Sequence, residues 1–158
     1  MNPLDLDRQL CFALYSASRA MTVSYKDLLA ELGITYPQYL VMLVLWENDA
    51  ELEGVTVKRL GERLQLDSGT LSPLLSRLEK LGFITRHRSA EDSRSVFVRP
   101  TSEGAAAKEL AECVPARIGA RTQLDPDALP GLLETLRTLT SNLRGNQAPT
   151  HKPTLHHR

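Results

Sequence analysis

The chain has 158 residues, with 19 basic and 19 acidic side chains, 42% hydrophobic and 5% aromatic residues, and two cysteines. That length suits one domain and is short for two independent cores. No apolar run is long enough to cross a bilayer, and the acidic start Met1-Asn2-Pro3-Leu4-Asp5 is unlike a signal peptide. Two cysteines 102 positions apart cannot make a disulfide-dense scaffold, so the expectation is a cytoplasmic protein with free thiols. The zero net charge hides a gradient. Residues 1–57 carry three basic and eight acidic side chains, residues 58–99 nine and five, and the remainder seven and six. A basic middle points to nucleic acid there, although on charge alone random scatter accounts for it equally well.

From Asp5 to Leu32 the apolar positions Leu6, Leu10, Leu14, Ala17, Met21 and Leu28 recur at helical spacing, with Gly33 as a stop. Such a helix is roughly 40 Å long and outruns a small core, so its overhang needs a partner. Thr35-Tyr36-Pro37-Gln38 opens a second, very apolar helix through Leu40, Leu43, Val44 and Trp46, the expected centre of the core. After a polar loop at 49–54, Val55-Thr56-Val57 is too short to assign. Lys58–Leu64 reads as a short helix with Leu60 and Leu64 inward. Asp67-Ser68-Gly69-Thr70 is a turn with two possible N-caps, and Leu71, Leu74, Leu75, Leu78 and Leu81 then form one helical stripe ended by Gly82. Two β-favouring runs follow, Phe83–Arg88 and Arg94–Arg99, joined by a short polar loop as a hairpin. Ser102 caps a further helix with Ala105, Leu110 and Val114 inward, which Pro115 should end or kink. Asp125-Pro126 starts a last amphipathic helix through Leu129, Leu132, Leu133, Leu136, Leu139 and Leu143. From Gly145 onward Pro, Thr, His and Asn dominate and residues 146–158 are expected to be a disordered tail. That setting argues against a metal site at His151, His156 and His157, so no metal and no cofactor are expected.

Helix, short turn, helix and then a hairpin is the winged helix-turn-helix arrangement: a mainly α fold with a small β-hairpin wing, whose second helix enters the major groove of double-stranded DNA. The face opposite the leucine stripe supplies Ser68, Thr70, Ser72, Ser76, Arg77 and Lys80, with Gly69 and Pro73 on the same turns. Small hydroxyl side chains let a helix lie close to base edges, while Arg77 and Lys80 reach phosphate or guanine. Pro73 inside this helix removes a backbone bond and should bend its first turns. The hairpin carries Asp92 and Arg94 at its tip and Arg86, Arg88 and Arg99 on its stem, and an arginine at a tip suits a narrow minor groove. An ordinary solvated hairpin is the alternative.

At these residues the sequence resembles a family. Asp92-x-Arg94 followed by Thr101 and Gly104 looks like the wing signature of the MarR family of bacterial repressors, with Pro100-Thr101 where that family usually has Leu-Thr. Gln9–Tyr15, Ile34–Leu40 with Leu45-Trp46-Glu47, and Leu66–Leu75 resemble its peroxide-sensing branch, the organic hydroperoxide resistance regulators. The likeness covers about residues 5–115. It implies one MarR-type domain over 1–145, with the DNA-binding part at about 55–100 and a homodimer built from N- and C-terminal helices at about 5–32 and 102–145.

On a helix Cys11, Tyr15 and Tyr25 share one stripe, completed by Ser18 and Thr22, yet the fourteen residues between Cys11 and Tyr25 span roughly 20 Å, too far to touch within one chain. Two copies packed antiparallel would bring Tyr25 of one toward Cys11 of the other. A peroxide sensor needs a thiolate and phenol donors favour that form, while a helix dipole should add little, since Cys11 lies beyond the first turn of the expected helix. A buried structural thiol is the commoner fate of a free cysteine. The resemblance implies that Cys11 senses organic hydroperoxides, supported by Tyr15 of its own chain and Tyr25 and Tyr36 of the partner, in a repressor that then releases its operator. Some members of the branch use a second cysteine as a resolving thiol, and Cys113 is either that or an uninvolved thiol. The alternative function is a MarR-type repressor released by a small aromatic anion with Cys11 incidental. A thiol peroxidase has no recognisable motif here, so no enzymatic activity is expected.

Overall fold

The computed structural model describes residues 2–145, and the tail from Asn146 onward, with its three histidines, lies outside them. The chain divides into two compact units, one through Arg121 and one from Thr122. Among the described residues no helix is long and apolar enough to cross a membrane.

The first unit is organised on a helix that is buried almost all round. This helix, α2 (Tyr36–Glu47), hides Tyr39, Val41, Met42, Val44, Leu45 and Trp46, as its uniformly apolar sequence requires. Its start is fixed by a capping box: the Thr35 side chain takes the N–H of the third helical residue, and Gln38 Oε1 accepts from Thr35 N at 2.9 Å. Around it pack α3 (Val57–Leu64) and α4 (Ser68–Lys80), then strands β2 (Ile84–Arg88) and β3 (Val96–Pro100). Thr56 caps α3 through the N–H of Arg59 at 3.1 Å, and Gln65 closes it in the left-handed region (φ 59°), which turns the chain sharply into α4.

Val55-Thr56, too short to assign from sequence, is strand β1, so the wing is a three-stranded antiparallel sheet in the order β1-β3-β2. Val55 pairs with Val98 and Thr56 with Phe97 across one edge of β3, and Arg86 pairs with Val98 across the other. Gly54, at φ +87°, leads into β1. A side chain there would collide with the Val98 carbonyl oxygen, so only glycine lets the strand approach.

The first helix is shorter than its hydrophobic repeat predicts. Leu6–Arg8 form a separate 3-10 turn capped by Asp5, Gln9 is extended, and α1 is Leu10–Leu28. Periodicity reads side-chain spacing and is blind to one extended residue that interrupts the ladder. Within α1 only Leu28 is buried; Leu10 is 61% and Val23 68% exposed.

Helix α5 (Ser102–Ala111) turns a different face inward from the one expected. Gly104, Ala107 and Ala111 are buried, while Ala105 is exposed and Leu110 is 55% exposed. Close approach decides this: Trp46 Nε1 donates to the Gly104 carbonyl at 2.8 Å, and a Cβ on Gly104 would collide with the Phe83 carbonyl oxygen. Only a stripe of small residues fits so near, whatever the pull of a leucine elsewhere on the helix. Leu81, placed in the α4 stripe from sequence, is the C-cap and 45% exposed. The helix breaks at Glu112-Cys113, and α6 (Val114–Thr122) carries Pro115 in its first turn, as a proline that cannot extend a helix requires.

In the second unit Asp125 forms a turn, accepting from Asp127 N at 3.0 Å, and α7 begins only at Leu129 and runs to Gly145. None of its residues is buried, and Leu129, Leu132, Leu133 and Leu143 are exposed.

Candidate nucleic-acid interface and thiol site

Helix α4 starts at Asp67, whose carboxylate accepts the Thr70 N–H at 2.8 Å and the Thr70 hydroxyl at 3.0 Å. These bonds, the backbone one first, hold the Asp67 carboxyl below the usual range. The Thr70 hydroxyl proton is therefore committed, and toward a base this side chain offers only an acceptor. Ser68, Gly69, Thr70, Ser72, Pro73, Arg77 and Lys80 all lie on the exposed face and Ser76 is half-buried, while Leu71, Leu75 and Leu78 point into the core. The helix runs through Pro73 without a break, so the disturbance expected there does not interrupt it. Among the described residues, the charged groups of Arg77, Lys80 and Arg94 have no hydrogen-bond or ion-pair partner.

The arginines of the wing divide by task. Arg86 Nε and Nη2 both donate to Glu79 Oε2, at 3.0 and 2.5 Å, and this pair holds the Glu79 carboxyl below its ordinary range. Arg86, a DNA-binding candidate from sequence, thus ties the wing stem to α4. Arg88 Nη1 donates to the Ser93 carbonyl at 2.9 Å and braces the loop. Asp92 uses both carboxylate oxygens inside the tip, accepting from Arg94 N at 3.0 Å and Ser95 Oγ at 3.2 Å, and Ser89 Oγ accepts from the N–H groups of Glu91 and Asp92. Asp92 shapes the tip and Arg94 is what the tip presents. An open cleft of about 810 Å³, floored by Val57, Leu71, Leu75 and Val96, separates wing from helix, giving two prongs.

Cys11 is exposed and is the second residue of α1, because Gln9 interrupts the chain just before it. It was expected beyond the first turn; it lies within it, in a turn that carries unpaired N–H groups and no acidic side chain. One turn on, the Tyr15 hydroxyl accepts from Arg19 Nη1 at 3.0 Å, and the Arg19 guanidinium lies 5.6 Å from the Tyr15 ring centre. Tyr25 stands at the other end of α1, stacked on Tyr36 with ring centres 4.4 Å apart and tilted on Tyr39 at 5.7 Å. Burial, then the neighbouring phenols Tyr36 and Tyr39, push the Tyr25 hydroxyl up to about 12, and burial also raises Tyr36. Both therefore keep their protons at neutral pH and remain donors. The structure brings Tyr25 and Tyr36 together and leaves Cys11 and Tyr15 apart from them. Cys113 is exposed at the break between α5 and α6, its Sγ 3.6 Å from the Leu110 carbonyl oxygen. The sequence reading missed Arg19 and Glu79. The i,i+4 spacing of Tyr15 and Arg19 was a usable signal, whereas Glu79 is seven positions from Arg86 and meets it only through the fold.

The family model for transcriptional regulators of the SarA/Rot type matches residues 24–110. The organic hydroperoxide resistance transcriptional regulator of Bacillus subtilis is 49% identical over 140 residues, covering 89% of this chain and 92% of that protein. The chain belongs to that branch of the MarR family. Two solved structures of AbfR, a protein of Staphylococcus epidermidis, place this MarR-type regulator among winged-helix proteins. Overoxidised AbfR bound to DNA matches with a TM-score of 0.70 at 36% identity, over 87% of this chain and 94% of that one. The disulfide form of AbfR matches with a TM-score of 0.58 at 36% identity, over 85% and 92%. In this MarR-type transcriptional regulator α3 and α4 are the helix-turn-helix and β1–β3 the wing.

Proposed function

We propose that the protein is a homodimeric repressor that holds double-stranded operator DNA through α4 and the wing and releases it when an organic hydroperoxide oxidises Cys11. The observation that carries this reading is the division of the thiol site along α1. Cys11 is exposed in the first turn while Tyr25 and Tyr36 are paired near the last, roughly 20 Å away, so only a second copy completes the site. The exposed Leu10 and Val23 of α1 and the exposed leucines of α7 suit burial between two copies, with segments 5–32 and 102–145 dimerising and 55–100 binding DNA. Family membership and the DNA-bound and disulfide forms of AbfR support the same reading.

In the chemistry proposed, the Cys11 thiolate attacks one oxygen of the peroxide O–O bond. An S–O bond forms, the O–O bond breaks, and the alkoxide leaves with a proton as an alcohol, giving sulfenic acid. If Cys113 of the partner subunit then attacks that sulfur, an S–S bond forms and water leaves. Either product removes the acceptor that Tyr25 and Tyr36 of the other chain were bonding, and so disturbs the interface on which both α4 helices ride. Half-sites lie about one DNA turn apart, so a small rotation misplaces both helices. A coupling of about 1–3 kcal/mol loosens the operator by roughly 5–150-fold. The test is operator affinity with and without cumene hydroperoxide. Cys11→Ser should bind DNA and ignore the peroxide; Cys113→Ser should still respond but form no intersubunit disulfide. Release of Cys11→Ser as readily as wild type would overturn the proposal.

A further inference from the structure

We propose that Arg19 is a positioning residue for the thiol of Cys11, acting through the hydroxyl of Tyr15. The inference rests on reading Cys11 as the reactive thiol. Cys11, Tyr15 and Arg19 follow one another at four-residue intervals, so they lie one above another on one face of α1. Helical side chains lean toward the N-terminus, so Arg19 reaches back one turn to Tyr15, and Cys11 lies one turn beyond, without a hydrogen bond to Tyr15 in the single chain. Two observations fix the first step: Arg19 Nη1 donates to the Tyr15 oxygen at 3.0 Å, and the guanidinium sits 5.6 Å from the ring centre. A phenol oxygen that accepts from a cation has its own O–H left to give, and that O–H becomes the better donor. Among the described residues neither the Tyr15 hydroxyl proton nor the Cys11 sulfur has any partner, so each is available to the other. When a second copy covers this face the dielectric falls, which strengthens the Arg19–Tyr15 bond and favours one from Tyr15 to the thiolate.

The other ionisable groups flanking Cys11 are Asp7 and Arg8 in the preceding turn, while α2 meets α1 at Tyr25, through Tyr36 and Tyr39. None of these stands between Arg19 and Tyr15. Arg19 therefore sets the strength of the own-chain phenol bond to the thiolate.

The experiment is the iodoacetamide alkylation rate of Cys11 against pH, in the full-length dimer with Cys113→Ser so that one thiol reports. Arg19→Met should slow alkylation at neutral pH by about three- to tenfold, the scale of losing cooperative strengthening in one hydrogen bond, and move the profile to higher pH. The plateau at high pH, where every thiol is ionised, should be unchanged, which excludes unfolding or altered access. Arg19→Lys, which keeps a cationic donor, should recover most of the rate. In a Tyr15→Phe background Arg19→Met should add nothing. An unchanged rate, a lysine variant no faster than the methionine one, or equal slowing in the Tyr15→Phe background would each overturn the relay. Failure of the underlying reading has a different signature: Arg19 and Tyr15 still govern alkylation, but peroxide releases DNA from Cys11→Ser.

Discussion

Arg86 offers a sharp test of how the wing is held. If it braces the wing against α4 through Glu79, Arg86→Gln should weaken operator binding without changing its salt dependence. The pair is about a third exposed on each side, so its worth is discounted for solvent screening to about 0.5–1 kcal/mol. A two-fold repressor has two such braces, which gives about 1–2 kcal/mol, or roughly 5–30-fold in affinity. Glu79→Gln should loosen the same joint, seen as faster amide exchange across Ile84–Arg88 and Val96–Pro100. Because the Glu79 carboxyl is held below its ordinary range, the brace is intact above that range and is lost as pH falls through the lowered value. The assay is fluorescence anisotropy of a labelled operator across a salt series. A direct phosphate contact would instead cut the slope by about 0.9 per subunit on losing Arg86. That slope change, with amide exchange in the wing unaltered by Glu79→Gln, would refute the brace.

Three further outcomes are expected. Arg94→Ala should weaken binding to all DNA sequences and lower the salt slope by about one phosphate-equivalent per subunit, measured in the same titrations, since the tip presents a guanidinium with no partner among the described residues. Trp46→Phe should cost about 1–3 kcal/mol in urea unfolding, because it leaves the buried Gly104 carbonyl without the indole N–H that donates at 2.8 Å. Asp27 is held at about 2, chiefly by hydrogen bonds from Arg121, so its tie to α6 should persist above the ordinary 3.8 and be lost as pH falls toward 2. Amide exchange in Val114–Thr122 should rise over that window in wild type and be already raised at pH 5 in Asp27→Asn.

Much of this molecule is legible in its sequence where a local rule acts alone. Thr35-Tyr36-Pro37-Gln38 marks a helix start with an early proline, the α4 leucines repeat at helical spacing, and the turn residues between Arg88 and Arg94 announce a hairpin. The errors fall where geometry at a distance decides. Gln9 breaks the first helix without any breaker residue, and that single extended residue moves Cys11 into a first turn. Leu110 lost its inward place because Gly104 must approach Phe83, the residue just before β2 and far back in the chain. β1 is two residues long and exists because β3 offers an edge. Of the site, residue types and faces were readable, but not the partners: the sequence shows Arg86 and Asp92 as charges, and only the fold shows that one is spent on Glu79 and the other on its own loop.

The central claim is that oxidation of Cys11 is what releases DNA. It is tested most directly by measuring, on one sample, intact mass under reducing and non-reducing conditions together with operator anisotropy as organic hydroperoxide is added in sub-equivalent steps. The account predicts that the fraction of operator released rises in step with the fraction of chains carrying one added oxygen or a disulfide at Cys11. Release that is complete while Cys11 remains unmodified, or full oxidation of Cys11 with the operator still bound, would contradict it.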